Sequence, residues 1–203
     1  MRGRFISIEG IDGAGKSTQT ANLLKFLKEK GIDLVHTREP GGTPPGEKIR
    51  AMLLSDEMGA TAETLLFFAA RAEHVEKVIR PALEAGRWVV SDRFTDATYA
   101  YQAGGKGFPG ERIEALERWT LGSFEPDLTI LFDIAPEKAA QRLRARAGDE
   151  DRFERMGVDF FTRVRNAYLE RARKSPERFL IIDAEQTPDE VEKRILEGVA
   201  GWL

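Results

Sequence analysis

The sequence predicts an α/β fold built on a five-stranded parallel sheet flanked by helices. Apolar segments that suit strands alternate with helical patterns through the whole chain, which is typical of a parallel sheet. Two of these segments, residues 87–92 and 127–134, are continuous apolar runs, as expected for strands covered on both faces. A glycine-rich turn directly follows the first strand candidate, and 203 residues suffice for one domain, 1–203, with a substantial core.

The first half of the chain shows the alternation clearly. Residues 4–9 ("RFISIE") form the first predicted strand, and a helix over 16–30 follows and ends at Gly31. Residues 33–37 form the second strand. The next segment, "REPGGTPPG", is too rich in Pro and Gly for regular structure, and a short helix over 45–54 comes after it.

The second half repeats the pattern. A long helix over 61–85 is predicted because apolar residues recur on one face, at Val75, Val78, Ile79, Ala82 and Leu83. The segment 178–183 is the fifth strand, and a final helix carries Val191, Ile195 and Val199. The segment 142–156 differs from the rest, because it is highly charged and interrupted by Gly148.

Composition narrows the possible functions. The net charge is −3, which does not indicate a nucleic-acid partner, since such proteins are usually basic. The absence of cysteine excludes disulfides and thiolate metal sites. The apolar run near the N-terminus is too short for a secretory signal, and no segment approaches a membrane span. We therefore expect a cytoplasmic protein with no membrane partner.

A phosphate-binding signature, Gly10-x-x-x-x-Gly15-Lys16-Ser17, lies between the first strand and the first helix. Its glycines allow backbone N–H groups to face a phosphate, and the helix N-terminus adds partial positive charge. Lys16 suits the β and γ phosphates, and the Ser17 hydroxyl suits Mg²⁺. The nucleotide-binding segment therefore comprises Gly10, Asp12, Gly13, Ala14, Gly15, Lys16, Ser17 and Thr18.

The rest of the chain favours a small-molecule kinase among proteins with this loop. A GTPase would need Asn-Lys-x-Asp, and neither Asn22 nor Asn166 is followed by Lys. A motor or helicase would normally need a longer chain. A kinase must also neutralise charge on its acceptor, so arginines are expected at the carboxyl ends of the strands.

Candidate acceptor residues end two of the strands. Asp92 could hold Mg²⁺ through water, and Arg93 could clamp a phosphate with two hydrogen bonds. The alternative is an ordinary salt bridge at the strand end. Arg38 and Glu39 end the second strand and enter the Pro-Gly loop, where the alternative is an ordinary exposed loop pair, and Arg50 could be surface charge.

Phe67, Arg71 and Val75 share one face of the long helix, because they are spaced by four. A ring beside a guanidinium could receive a planar base. From the pattern alone, however, the simpler interpretation is that Phe67 belongs to the core and Arg71 extends to solvent. Phe68 competes with Phe67 for the stacking role.

Taken together, the motifs closely resemble the thymidylate kinase family. The matching segments cover almost the whole chain in order and are "EGIDGAGKST", "TREPGGT", "LLFFAARAEH", "SDRFTDATYAYQAGG", "PDLTILFDI", "DRFE", "DFF" and "IDAEQTP". The resemblance implies a P-loop nucleoside monophosphate kinase fold with a small lid over 142–156. It also implies conversion of dTMP and ATP to dTDP with Mg²⁺, usually by a homodimer.

The resemblance also implies roles for individual residues. On the nucleoside side, Phe67 stacks on thymine, Arg71 reads its carbonyl edge, Thr98 and Gln102 lie at the base, and Tyr101 packs against the sugar. On the phosphate side, the implied residues are Arg93, Arg50, Asp12, Glu39 and, supporting the metal, Asp92. Arg142 lies along the donor adenine, with the loop that begins at Ala184 on its other side.

The resemblance implies one further charge, from the lid. Some family members carry a basic residue in the phosphate loop where this chain has Gly13, and others supply an arginine from the lid instead. The second pattern fits this chain, with Arg146 and Arg152 as catalytic candidates beside Lys16, Asp12 and Arg93. The alternative for each lid arginine is an ion pair with Asp149, Asp151 or Glu154.

Two other functions stay open at this point. One is another nucleoside monophosphate kinase or a deoxynucleoside kinase on the same fold. The other is a nucleotide-binding regulator without turnover, which would have no use for a second set of phosphate-binding arginines.

Overall fold

One sheet of five parallel strands organises the chain in a computed structural model, which describes residues 2–145 and 152–203. The strands are β1 (Phe5–Gly10), β2 (Leu34–Arg38), β3 (Trp88–Asp92), β4 (Leu128–Asp133) and β5 (Phe179–Asp183). Their order in the sheet is β2–β3–β1–β4–β5, and every pairing is parallel. All five predicted strands are confirmed to within one residue at each end.

Helices cover both faces of this sheet in the described part of the chain. They are α1 (Lys16–Glu29), α2 (Pro44–Ser55), α3 (Ala60–His74), α4 (Arg80–Glu84), α5 (Thr95–Thr98), α6 (Gly110–Leu121), α7 (Pro136–Ala145), α8 (Val158–Lys174) and α9 (Pro188–Ala200). Side chains cap two of them, since Thr43 Oγ1 accepts from the Gly46 N–H and Thr187 forms a capping box with Glu190. No helix among these residues is long and apolar enough to cross a bilayer.

The predicted helix over 61–85 is one helical rod with a change of geometry inside it. Between α3 and α4 lies a π-helical segment, Val75–Ile79, and the Arg80 N–H donates to the carbonyl of Val75, five residues back. Pro81 explains the wider turn, because it has no N–H to donate and its ring would collide with a carbonyl four residues earlier. The prediction of a regular helix was therefore wrong only at this turn.

The segment after β3 contains structure that the apolar pattern did not predict. The short helix α5 continues into a second π-helical segment, Tyr99–Gly105, which packs against α8. A Cβ atom on Gly105 would lie 2.4 Å from the Phe160 ring, and one on Gly104 would lie 2.5 Å from the Ala167 side chain. The two glycines therefore let α8 approach this segment closely.

The core lies on both sides of the sheet. On one face, residues of β1 and β4 pack with α1, α8 and α9 through side chains such as Leu27, Tyr168 and Ile195. On the other face, Phe5 and Phe94 pack with the helical rod through Ile79 and Leu83, among others. Because β1 is buried along its whole length, the loop that follows it starts from a fixed position.

A buried ion cluster connects the sheet to α5 and α8. Asp96 on α5 is 1% exposed and accepts hydrogen bonds from Arg178 Nη1 at 2.7 Å and from Arg171 Nε at 2.7 Å. Arg178 Nη1 also donates to Thr129 Oγ1 on β4. The two guanidinium groups lower the pKa of Asp96 although burial acts to raise it.

We predict that Asp96→Ala destabilises the protein by about 3–5 kcal/mol, because it leaves the buried Arg178 without its carboxylate. Chemical denaturation would measure the free energy of unfolding. The control is Glu197→Ala, which removes an exposed partner of Arg194 and should change that energy by less than about 0.5 kcal/mol. A similar small change for Asp96→Ala would contradict the structural role of the cluster.

Candidate functional site

A cavity of about 620 Å³ opens at the carboxyl end of the sheet. The loop after β1 lines one side of it, and the ends of β2 and β3, the helix α3 and the π segment after β3 line the other. Ligands bind at this edge in open parallel α/β sheets. The cavity therefore brings the predicted donor and acceptor residues together.

The phosphate loop has the backbone that the glycine pattern predicts. Gly13 and Gly15 have φ values of 84° and 89°, a region that suits glycine, and α1 begins at Lys16. Lys16 Nζ donates to the carbonyls of Gly10 at 2.9 Å and Ile11 at 3.0 Å. Burial, with the charge of Arg93, lowers the pKa of Lys16.

Packing against α7 explains why the loop has a glycine at position 13. A Cβ atom there would lie 2.4 Å from the backbone carbonyl oxygen of Ala139 on α7. A larger residue would therefore require α7 to move. In this packing, an additional positive charge cannot come from position 13.

Arg93 connects the phosphate loop to the end of β3. Its Nη1 donates to the carbonyl of Gly10 at 3.1 Å and to the Tyr168 hydroxyl at 3.1 Å. Its Nη2 donates to Asp12 Oδ1 at 2.6 Å and to the Tyr101 hydroxyl at 2.9 Å. The predicted alternative, a salt bridge confined to the strand end, is wrong, because the partner carboxylate belongs to the phosphate loop.

Asp12 is ionised in this arrangement. Burial acts to raise its pKa, but the charges of Arg93 and Lys16 outweigh burial and lower the pKa to about 2. Tyr101 donates to the second oxygen, Asp12 Oδ2, at 2.8 Å. Asp12, Arg93 and Tyr101 therefore form one connected group at the centre of the cavity.

Arg71 is buried at the other end of the cavity, with 2% of its surface exposed. Its Nε donates to Glu39 Oε2 at 2.7 Å, and its Nη2 donates to Thr98 Oγ1 at 3.0 Å. Glu39 Oε1 lies 2.9 Å from His74 Nδ1. The interpretation in which Arg71 extends to solvent is wrong, as is the alternative in which Glu39 is an exposed loop residue, because each neutralises the other in the interior.

One donor atom of Arg71 is unused. Within residues 2–145 and 152–203, Arg71 Nη1 is buried and has no hydrogen-bond partner. A buried donor of this kind costs free energy unless something accepts from it. Since Arg71 lines the cavity, the free N–H marks where a ligand acceptor such as a carbonyl oxygen fits.

The remaining predicted base-contacting residues lie around the same end. Phe67, Thr98, Tyr101 and Gln102 all line the cavity, whereas Phe68 is buried in a separate core cluster. Phe153 also lines the cavity, with its ring centroid 6.3 Å from that of Phe67 and 5.9 Å from that of Tyr101. The sequence analysis did not assign a role to Phe153, and its aromatic ring within the motif "DRFE" was the available signal.

Asp92 and Ser17 fit a magnesium site. Both line the cavity, and Asp92 Oδ1 is a buried oxygen without a hydrogen-bond partner in the described part of the chain. No cluster of three metal-binding side chains occurs among the described residues. Mg²⁺ at nucleotide sites usually takes one or two protein ligands together with phosphate oxygens and water, which is what Ser17 and Asp92 could provide.

Two other predicted residues, Arg142 and Arg50, lie at the edges of the cavity. Arg142 on α7 lines the cavity and donates through Nη2 to the carbonyl of Ala184 at 2.9 Å. The two residues predicted to flank the adenine are therefore neighbours. Arg50 lines the cavity at the acceptor end and donates to the carbonyl of Pro40 at 3.0 Å. Gly10 and Ala184 do not line the cavity, but their carbonyl oxygens accept hydrogen bonds from Arg93 and Arg142, which do.

Of the two arginines predicted to act from the lid, the structure describes Arg152 only. Arg146 lies outside the described residues. Arg152 is bound at the acceptor end, where its Nη2 contacts Glu63 Oε2 and its Nη1 donates to the carbonyl of Asp56 at 3.0 Å. In this conformation no described hydrogen bond or ion pair joins Arg152 to the phosphate loop, which includes Asp12.

Glu63 is a buried carboxylate that the sequence analysis missed. It is 0% exposed and accepts from Lys106 Nζ at 2.6 Å and from Gln102 Nε2 at 3.0 Å, in addition to Arg152. Glu63 precedes Phe67 by four residues and therefore shares its helix face, which was the available signal. The carboxylate connects Gln102 with the residues around Phe153.

Glu9, at the end of β1, is also fully buried. Its Oε1 accepts from the Phe94 N–H at 2.7 Å and its Oε2 from the Tyr168 hydroxyl at 2.7 Å. Burial, followed by the nearby charge of Asp96, raises the pKa of Glu9 to about 8. The sequence analysis gave Glu9 no role.

Comparisons with known proteins give a consistent result. The model of the thymidylate kinase family matches residues 8–195. A thymidylate kinase from Methylobacillus flagellatus is 53% identical over 97% of this chain and 97% of its own length, and one from Neisseria gonorrhoeae is 50% identical over 99% and 100%. The crystal structure of thymidylate kinase from Ehrlichia chaffeensis is similar with a TM-score of 0.79 and 32% identity, covering 98% and 99% of the two chains.

We predict that Glu9→Gln changes how stability depends on pH. The folded chain keeps a proton on Glu9 between pH 4.5 and about 8, whereas the unfolded chain releases it, so folding loses stability across this window as pH rises. The glutamine variant lacks this loss. Its stability relative to the original protein should therefore increase by up to about 1.4 kcal/mol per pH unit.

Denaturation of both proteins at several pH values would measure this difference. The neighbouring groups Asp96, Arg93, Tyr168 and Lys16 are present in both proteins, so their direct contributions largely cancel. Two parallel curves between pH 5 and 8 would show that the pKa of Glu9 is not raised.

Proposed function

The chain belongs to the thymidylate kinase family, and from this premise we propose how its cavity transfers the γ-phosphate of ATP to dTMP to give dTDP and ADP. The observation that carries the proposal is the pairing of two features in one cavity. A phosphate loop lies at one end, and the buried Arg71 with an unused N–H lies at the other. A nucleotide donor and a base-bearing acceptor therefore fit side by side.

The donor end suits ATP. Backbone N–H groups of the phosphate loop and the N-terminus of α1 favour the phosphates, and Lys16 supplies a charge for the β and γ groups. Arg142 and the Ala184 carbonyl frame the position proposed for adenine. Ser17 and Asp92 would hold Mg²⁺, which neutralises phosphate charge when it is bound.

The acceptor end suits dTMP. We assign thymine to the space between Phe67 and Arg71, where the free Nη1 of Arg71 would donate to a carbonyl oxygen of the base. Thr98 and Gln102 complete the wall at the base, and Tyr101 occupies the position beside the sugar. Arg93 and Arg50 would bind the acceptor phosphate, and Asp12 and Glu39 orient Arg93 and Arg71.

The chemistry needs positioning rather than a general base. The attacking oxygen belongs to a phosphate monoester whose second pKa is about 6, so it is already ionised near neutral pH. Transfer then depends on alignment and on neutralising the charge of the moving group. Lys16 and Arg93 both place positive charge at the same oxygen of the loop carboxylate, Asp12 Oδ1.

We assign the remaining charge to the lid. Glu63 binds two cations, Lys106 and Arg152, so Arg152 can move to the phosphates while Lys106 keeps the buried carboxylate paired. Arg146 is the second candidate. A single kinase domain with its lid over 142–156, a homodimeric assembly and a cytoplasmic location stay predictions.

The alternative functions find less support. Another nucleoside monophosphate kinase would share the fold, but the family match and relatives at about 50% identity favour dTMP as acceptor. A regulator without turnover would not need Arg93 and Arg50 in the same cavity as the phosphate loop.

We predict that ADP release in the presence of ATP and Mg²⁺ depends on dTMP. A coupled assay would compare dTMP, dUMP, dCMP, dAMP, dGMP and thymidine, and dTMP should give the highest kcat/KM. Lys16→Ala should abolish turnover, because it removes the charge beside the transferred phosphate. Equal rates with all monophosphates, or ATP binding without acceptor-dependent ADP release, would contradict the proposed function.

We predict that Arg152→Ala lowers kcat by about 10³-fold and changes the KM for dTMP much less, because a mobile arginine acts mainly in the transition state. Steady-state kinetics would measure both constants. Arg173→Ala, an exposed arginine on α8, is the matched control and should leave both unchanged. An unchanged kcat for Arg152→Ala would transfer the lid role to Arg146.

A further inference from the structure

We propose that Glu9 is a positioning residue that holds Arg93 in place through both the backbone and the side chain of that arginine. The inference rests on the proposed function, in which Arg93 binds the acceptor phosphate. Glu9 itself has no surface in the cavity. Its effect must therefore pass through the residues that it contacts.

The backbone at Arg93 needs support from its neighbours. Arg93 has a φ of 68°, in the left-handed region, and it is the only residue other than glycine with a positive φ among those described. Such a conformation costs about 1 kcal/mol or more and persists only where the surroundings hold it. A strained non-glycine residue directly after β3 thus implies a set of fixed contacts around it.

Three hydrogen bonds provide those contacts. The Arg93 N–H donates to the carbonyl of Ile8 at 2.9 Å, and the Arg93 carbonyl accepts from Ser91 Oγ at 2.8 Å. The next N–H along the chain, that of Phe94, donates to Glu9 Oε1 at 2.7 Å. Glu9 is therefore the side chain that fixes the exit from the strained residue.

The second carboxylate oxygen of Glu9 is linked to the Arg93 guanidinium through the hydroxyl of Tyr168. Arg93 Nη1 donates to the Tyr168 hydroxyl at 3.1 Å, and that hydroxyl donates to Glu9 Oε2 at 2.7 Å. When Glu9 is ionised, its Oε2 accepts the Tyr168 proton, and the hydroxyl oxygen of Tyr168 stays free to accept from Arg93. Both carboxylate oxygens of Glu9 thus bind groups that hold Arg93.

This arrangement divides the guanidinium into an anchored and an exchangeable half. Nη1 is held by the Gly10 carbonyl at the end of β1 and by the Tyr168 hydroxyl on α8. Nη2 contacts Asp12 and Tyr101, whose side chains line the cavity. An incoming phosphate can take up donors of Nη2 while the anchored half keeps its direction.

Burial of a carboxylate at this position has a cost that needs an explanation. An apolar side chain at the end of β1 would avoid the desolvation that raises the pKa of Glu9. The charged groups around it are Arg93 after β3, Asp96 on α5 and Lys16 on α1, and only the first and third are cations. The fold therefore keeps Glu9 at this position, although its burial is unfavourable for the charged form, and its contacts orient Arg93.

The test compares binding of dTMP with binding of thymidine, which lacks the phosphate that Arg93 would contact. Calorimetry at pH 8.5, above the pKa of about 8 of Glu9, would measure both dissociation constants for Glu9→Gln and for Tyr168→Phe. Each variant should weaken dTMP binding, by about 10-fold for Glu9→Gln, and leave thymidine binding within about 2-fold. Tyr99→Phe, which removes the hydroxyl bound to Glu117, is the matched control and should change neither.

The outcomes separate the two claims. Arg93→Ala must itself remove the preference for dTMP over thymidine, and its failure to do so would contradict the proposed role of Arg93. If Arg93→Ala removes the preference and Glu9→Gln keeps it, the inference about Glu9 is overturned. A parallel loss of dTMP and thymidine binding in Glu9→Gln would indicate general disruption of the site and would also overturn it.

Discussion

The site depends on the ion pair between Arg93 and Asp12. Arg93 comes directly after β3 and Asp12 belongs to the loop after β1, so the pair joins the two strands whose ends define the cavity. It also places a fixed positive charge beside Lys16, which lies 3.9 Å from the same Asp12 oxygen. Phosphoryl transfer requires charge at the junction of donor and acceptor, and the proposed function puts this pair at that junction.

The acceptor end uses the same principle of buried, paired charges. Glu39 balances Arg71, and Glu63 balances Lys106 and Arg152. Such pairs contribute little net stability, but they fix donor groups in direction because breaking them is costly. Among the described residues, Arg71 is the only cavity-lining arginine with a buried donor that has no hydrogen-bond partner. The pairing with Glu39 therefore leaves one directed N–H, on Nη1, for a ligand.

The sequence predicted features that depend on local pattern and missed those that depend on distant partners. Strand positions and the phosphate loop follow from apolar runs and glycine spacing, and both are confirmed. Burial of Arg71 could not be predicted from its helix, because its partner Glu39 is 32 residues away. The same holds for Glu9, whose contacts with Phe94 and Tyr168 span 85 and 159 residues. The resemblance to a known family supplied the predicted base-contacting residues, which line the cavity, where pattern alone did not.

A crystal structure with dTMP and a non-hydrolysable ATP analogue would test the central claim most directly. The account predicts that the acceptor phosphate contacts Arg93 Nη2 while Nη1 keeps its bonds to Gly10 and Tyr168. It also predicts that a carbonyl oxygen of thymine accepts from Arg71 Nη1. A dTMP phosphate bound away from Arg93, or a base that does not reach Arg71, would contradict the account.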